Sequence, residues 1–85
     1  MTSKKRARLT VYSRAWCHLC DDLQSKLRPI CVELGADIEV IDVDACPEFE
    51  AAHGERVPVV FGGEVELCNY FLDAAAVRAY LLNFR

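Results

Sequence analysis

The sequence has no apolar run approaching the ~18 residues a membrane-spanning helix needs. No apolar stretch with a small-residue cleavage site follows its basic start, so neither a membrane span nor a secretory leader is expected. It lacks a phosphate-cradling GxxxxGK loop, which argues against nucleotide chemistry. Cations are scarce outside one place: Lys4, Lys5, Arg6 and Arg8 supply four of the ten within the first eight residues. Six are left against thirteen acids, a net charge of -7 in the remainder. Such a body repels nucleic acid and anionic lipid, so neither is an expected partner. The basic leader, residues 1-8, has no aromatic or helical pattern and reads as a flexible, solvated terminus. No repeat, linker or low-complexity segment divides the chain.

What is present fits a single domain spanning residues 1-85, since 85 residues are about half of a typical ~150-residue domain. Hydrophobic residues at 53% against 27% charged make a globular balance, which argues against disorder. The five cysteines are an odd number and cannot all close into an intramolecular disulfide framework. Reduced thiols with one active pair fit better, and with them a cytoplasmic location.

The order of elements reads β-α-β-α-β-β-α. Leu9-Thr10-Val11-Tyr12 is a β-prone run that leads into the first cysteines. From Leu19 the apolar residues Leu23, Leu27, Ile30, Cys31 and Leu34 recur at helical spacing, and Gly35 stops them. Pro29 falls inside this pattern and predicts a kink or break. A second strand over 38-43 is apolar enough to be buried on both faces for part of its length, and it completes a βαβ unit with a parallel strand pair. Pro47 suits the first position of a short helix closed by Gly54. Two strands over 57-61 and 64-68 flank Gly62-Gly63, which reads as a tight hairpin link. Asp73 caps a last helix with Val77, Tyr80, Leu81 and Phe84 on one face.

Cys17-His18-Leu19-Cys20 puts two sulfurs three residues apart at the mouth of the first helix, within disulfide reach. Unpaired N-H groups and the positive dipole end favour the thiolate at Cys17, which makes it the nucleophile. Cys20, one turn in and more shielded, is placed to resolve the mixed disulfide. Asp21 and Asp22 add negative charge beside the pair, with the helix N-terminus as their expected partner. A structural zinc site would want a second close pair, and Cys31, Cys46 and Cys68 are too widely spaced to supply one; each reads as a small buried hydrophobe. His18 reads as tuning the thiolate and His53 as a surface helix end, neither as a metal ligand.

With Val11-Tyr12-Ser13-Arg14 before the pair, Val57-Pro58 about forty residues after it and Gly62-Gly63 beyond, the chain resembles the thioredoxin superfamily, and most closely its small glutaredoxin-like proteins, from about Leu9 to Leu82. The resemblance implies an α/β thioredoxin-like fold with a four-stranded mixed sheet and helices on both faces. It also implies a cis peptide at Pro58 facing the cysteines, and a Val57 whose main chain meets bound peptide or glutathione. Arg14 matches the basic residue that glutaredoxins carry three positions before the nucleophile, suited to a glutathione carboxylate. The chain departs from the glutaredoxin pattern in three places. Trp16 is more like thioredoxin, His18-Leu19 matches neither usual intervening pair, and Leu67-Cys68-Asn69-Tyr70-Phe71 lacks the polar and acidic stretch that holds glutathione.

The leading expectation is a monomeric dithiol-disulfide oxidoreductase, with Cys17 and Cys20 catalytic and Arg14, Trp16, His18, Val57 and Pro58 binding substrate. Trp16 either shields the disulfide or meets a protein partner. No metal or bound cofactor is expected. Glutathione is the possible co-substrate, disulfide-containing proteins are the other partners, and a thioredoxin-reductase-type flavoprotein is a possible source of electrons. Two further readings stay open: a peptide-binding module without turnover, and zinc or an iron-sulfur cluster held through Cys17.

Overall fold

The computed structural model describes residues 6-84. Residues 1-5 of the basic leader lie outside that range, but its last two residues, Ala7 and Arg8, belong to the first strand.

That strand, β1 (Ala7-Ser13), buries alternate residues Ala7, Leu9, Val11 and Ser13 on one face, as a period of two requires. Helix α1 (His18-Leu34) follows and presents Leu23, Leu27, Ile30 and Cys31 to the same face. Gly35 ends it in the left-handed region at φ 72°, its N-H donating to the Cys31 carbonyl. The chain continues through β2 (Ala36-Asp42), a 3-10 turn (Val43-Ala45) and α2 (Pro47-His53). It ends with the hairpin β3 (Val59-Gly62) and β4 (Val65-Asn69), then α3 (Ala74-Leu82). Asp73 caps α3 by accepting the Ala76 N-H, as expected.

The four strands form one mixed sheet in the order β2-β1-β3-β4, with β1 parallel to β2 and antiparallel to β3. Helices α1 and α3 cover one face, where Val77, Leu81 and Val60 join the α1 residues in a single apolar core. Helix α2 covers part of the other face, setting Phe49 and His53 against Tyr12 and Phe61. The expected class, order and layering are those of the structure.

Several local expectations are corrected. The expected break at Pro29 does not occur, since helix α1 is continuous from His18 to Leu34. Pro29 and Ser25 both lie on the exposed face, so the Ser25 carbonyl that loses its donor faces solvent rather than the core. Strand β2 is not buried on both faces. It is an edge strand with only Ala36 buried, and its Asp37 and Glu39 pair with Arg6 and Arg8 across a bare part of the sheet.

The hairpin link is Gly63-Glu64 rather than Gly62-Gly63. Gly62 pairs with Val65 inside β3, and the Tyr80 ring lies where a Cβ would stand, 2.6 Å away. Only Gly63 uses a positive φ, 61°. A bulge in β4 lets Glu66 face the α2 side opposite Phe61, while Leu67 and Cys68 both pack on the core.

Candidate functional site

The register of the sheet builds the site. Tyr12 pairs with Val59, so the loop leaving β1 after Ser13 and the proline that precedes Val59 meet at one edge. The first carries the cysteine pair. The second carries Pro58, whose bond to Val57 is cis and whose side chain is fully buried.

Cys17 and Cys20 are joined as a disulfide, with Cα atoms 5.2 Å apart. Cys17 is the N-cap of α1: its Sγ accepts the Cys20 N-H at 3.1 Å, and its carbonyl accepts the Asp21 N-H. Thus the cap side chain of this helix is itself the sulfur, which lies where a helix start offers unpaired donors. Cys17 is half-buried, whereas Cys20 is completely inaccessible. Of the flanking acids, Asp21 stands in the first turn of α1 and Asp22 pairs with Lys26.

The other expected site residues are distributed unevenly. Trp16 is wholly exposed at a positive φ of 61°, so it covers nothing and does not shield the disulfide. His18 is exposed as the first residue of α1, and Val57 is half-buried beside Pro58. Arg14 turns away from the cysteines toward the 3-10 turn and α2. Its guanidinium donates twice to Asp44, once to Glu50 at 3.1 Å and once to the Gly54 carbonyl at 3.3 Å, and the two carboxylates raise its pKa further. The fork expected to meet a ligand carboxylate already holds two from its own chain.

His53 ends α2, as expected, but it does not lie on the surface. It is half-buried, its ring stacked on Tyr12 at 4.2 Å with Nδ1 buried and unpartnered. The three remaining thiols differ from one another. Cys31 lies in the core and Cys68 is half-buried on β4, and burial raises the pKa of both. Cys46 is not a buried hydrophobe: half-exposed at the start of α2, it donates to Glu48.

Sequence reasoning missed one residue at this edge. Tyr70, after β4, has φ 64°, and the bond from the Phe71 N-H to the Asn69 carbonyl closes a tight turn around it. Its N-H donates to the Pro58 carbonyl at 2.8 Å and its hydroxyl to the Glu55 carbonyl at 2.7 Å. The departure from the glutaredoxin pattern over 67-71 was the available signal.

A four-stranded mixed sheet between helices, with a helix-capping cysteine pair beside a cis proline, defines a protein of the thioredoxin fold. The chain matches the family model of the glutaredoxin-like domain (DUF836) over residues 8-82 and belongs to that family. It is similar to protein Ne2328 of Nitrosomonas europaea, at 35% identity over 94% of this chain and 96% of that one, with a TM-score of 0.79. Protein XcR50 of X. campestris is 31% identical over 86% and 93% of the two chains, with a TM-score of 0.62. Thioredoxin 1 of Thermosipho africanus, 24% identical over 88% and 94%, has a TM-score of 0.60 and shares the fold. No curated protein matches the chain.

Proposed function

We propose that this protein is a dithiol-disulfide oxidoreductase acting through Cys17 and Cys20. The observation that carries the reading is the bonded pair itself, with one sulfur half-accessible at a helix start and the other sealed beneath it.

In the reduced protein the Cys17 thiolate, facing the Cys20 N-H, attacks a substrate disulfide. One substrate sulfur leaves as thiolate and takes a proton from water, and the other stays bonded to Cys17. The Cys20 thiolate then attacks Cys17 Sγ, expelling the second substrate sulfur and closing the Cys17-Cys20 bond. Two electrons pass from the protein dithiol to the substrate disulfide, and the bonded form is the product of that half-reaction. An external thiol pair, two glutathione molecules or a reductase dithiol, restores the starting state. The substrate is a disulfide-bearing protein or a glutathione mixed disulfide, in a cytoplasmic setting where thiols are kept reduced.

Equilibration in graded reduced and oxidised glutathione, followed by alkylation and mass mapping, tests the reading. The Cys17-Cys20 bond is expected to form at an intermediate ratio while Cys31 and Cys68, their pKa values raised by burial, stay reduced. Cys17→Ser is expected to abolish turnover and Cys20→Ser to trap a mixed disulfide. A pair that never oxidises, or a Cys17→Ser variant as active as the parent, would end the proposal.

A further inference from the structure

The segment from Gly54 to Pro58 has no regular structure except at its first turn, yet it is held at almost every residue. The Gly54 carbonyl accepts from Arg14. The Glu55 carbonyl accepts the Tyr70 hydroxyl, and the Pro58 carbonyl accepts the Tyr70 N-H. The Arg56 N-H donates to His53, and the Arg56 guanidinium pairs with Glu66. No main-chain hydrogen bond joins Val57 to another described residue. Two bonds from one residue, to the Glu55 and Pro58 carbonyls, therefore bracket Val57, whose main-chain donor and acceptor remain to meet an extended chain.

Tyr70 makes both bonds from an unusual backbone. A tyrosine at φ 64° in a tight three-residue turn is uncommon, and such conformations persist where surrounding contacts fix them. The side chain contributes little to the core, being more than two-fifths exposed. Its hydroxyl reaches a main-chain carbonyl across fifteen residues of sequence, and its amide reaches another across twelve. Both anchored carbonyls belong to the Pro58 loop.

We propose that Tyr70 is a positioning residue that holds the Val57 main chain in the geometry in which it pairs with an extended polypeptide disulfide. The substrate side of the inference rests on the oxidoreductase reading above; the positioning itself does not. Fixing the loop before binding lowers the ordering cost of substrate association, so the effect falls on the capture of polypeptide rather than on sulfur exchange. A small disulfide that needs no strand pairing gains nothing from it.

Tyr70→Phe removes only the hydroxyl donor and keeps the ring, the turn and the amide bond to Pro58. Two measurements on the full chain read the result. In amide hydrogen exchange of the oxidised protein, the Arg56 amide, which donates to the His53 carbonyl, is expected to exchange about tenfold faster in the variant, while core amides such as Val11 and Leu27 keep their rates. Unchanged exchange at Arg56 overturns the proposal, and so does equal acceleration throughout the chain. In reduction assays, KM for an extended peptide closed by one disulfide is expected to rise about fivefold, the loss of one net hydrogen bond, with kcat unchanged. The rate toward 5,5'-dithiobis(2-nitrobenzoate) is expected to stay the same. Equal losses with both disulfides overturn the positioning role. A wild-type protein that reduces neither removes the oxidoreductase reading and the substrate assignment with it, and the exchange result then decides the positioning alone.

Discussion

The two faces of the sheet are held by different forces. Under α1 and α3 the contacts are apolar and shielded: Leu9, Val11, Leu27, Val60 and Val77 have no accessible surface. Under α2 they are an aromatic cluster around Tyr12 and a set of half-exposed ion pairs centred on Arg14, and no residue of α2 itself is fully buried. Burial of apolar surface is non-directional and strong, whereas exposed ion pairs contribute little to global stability but fix direction. The first face therefore keeps the protein folded, and the second aims the loops at the site edge. Cys20 belongs to the first face and Pro58 is reached through the second, so the site joins a rigid half to an adjustable one.

The largest break in this comparison is expected from Leu27→Ala. Leu27 is fully buried at the centre of the α1 face, and truncation there costs roughly 2-5 kcal/mol in transfer and cavity energy. For a domain of this size each kcal/mol moves Tm by roughly 4-8 °C, so urea and thermal denaturation both read the loss easily. A shift no larger than that from an α2-side substitution would mean that the faces share the load.

Alkaline pH sharpens the same contrast. Burial raises the pKa of the Cys31 thiol, and the nearby Asp37 carboxylate raises it further. The folded protein thus holds this proton more tightly than the unfolded chain. The stabilisation is complete below the ordinary thiol range and is lost as pH rises through the raised folded value. With the Cys17-Cys20 bond intact, the denaturation midpoint is expected to fall between neutral pH and about 9.5, and Cys31→Ala is expected to flatten that fall. Equal slopes in the two proteins would show that core burial of the thiol is not the cause.

What the sequence made legible was local. Gly35 stopping α1, Pro47 starting α2, Asp73 capping α3 and the cysteine pair at a helix mouth each depend on a few adjacent residues. The cis bond at Pro58 came from resemblance. What escaped was set by partners far along the chain. Arg14 looked available until Asp44 and Glu50, thirty and thirty-six residues on, were found in its fork. The hairpin link is displaced by one residue because Tyr80 needs the space above Gly62. Strand β2 looked doubly buried, but it lies at an edge whose far part no helix covers, and the parity of Glu66 and Cys68 depends on a bulge with no composition signal. His53, the end of α2, seemed to lie on the surface because its stacking partner Tyr12 is forty-one positions away.

The smallest expected global effect, and the most local, is that of Arg14→Gln. The substitution removes the bonds to Asp44 and leaves at most one of those to Glu50 and the Gly54 carbonyl, so the loop before Cys17 loses its tie to α2. The guanidinium and both carboxylates are substantially open to solvent, which screens them, so the urea midpoint is expected to change far less than in Leu27→Ala. Exchange of the Gly54 and Arg56 amides, which donate to the Glu50 and His53 carbonyls, is expected to accelerate while the α1 face keeps its protection, because the tie sets local opening rather than global unfolding. Salt supplies an independent check: at about 1 M the Debye length falls to roughly 3 Å, and wild-type exchange in this segment is expected to approach that of the variant. If the midpoint instead drops as far as in Leu27→Ala, Arg14 carries the fold and the division of labour between the two faces fails. If the exchange difference persists undiminished at high salt, the bond to the Gly54 carbonyl rather than the ion pairs holds the loop.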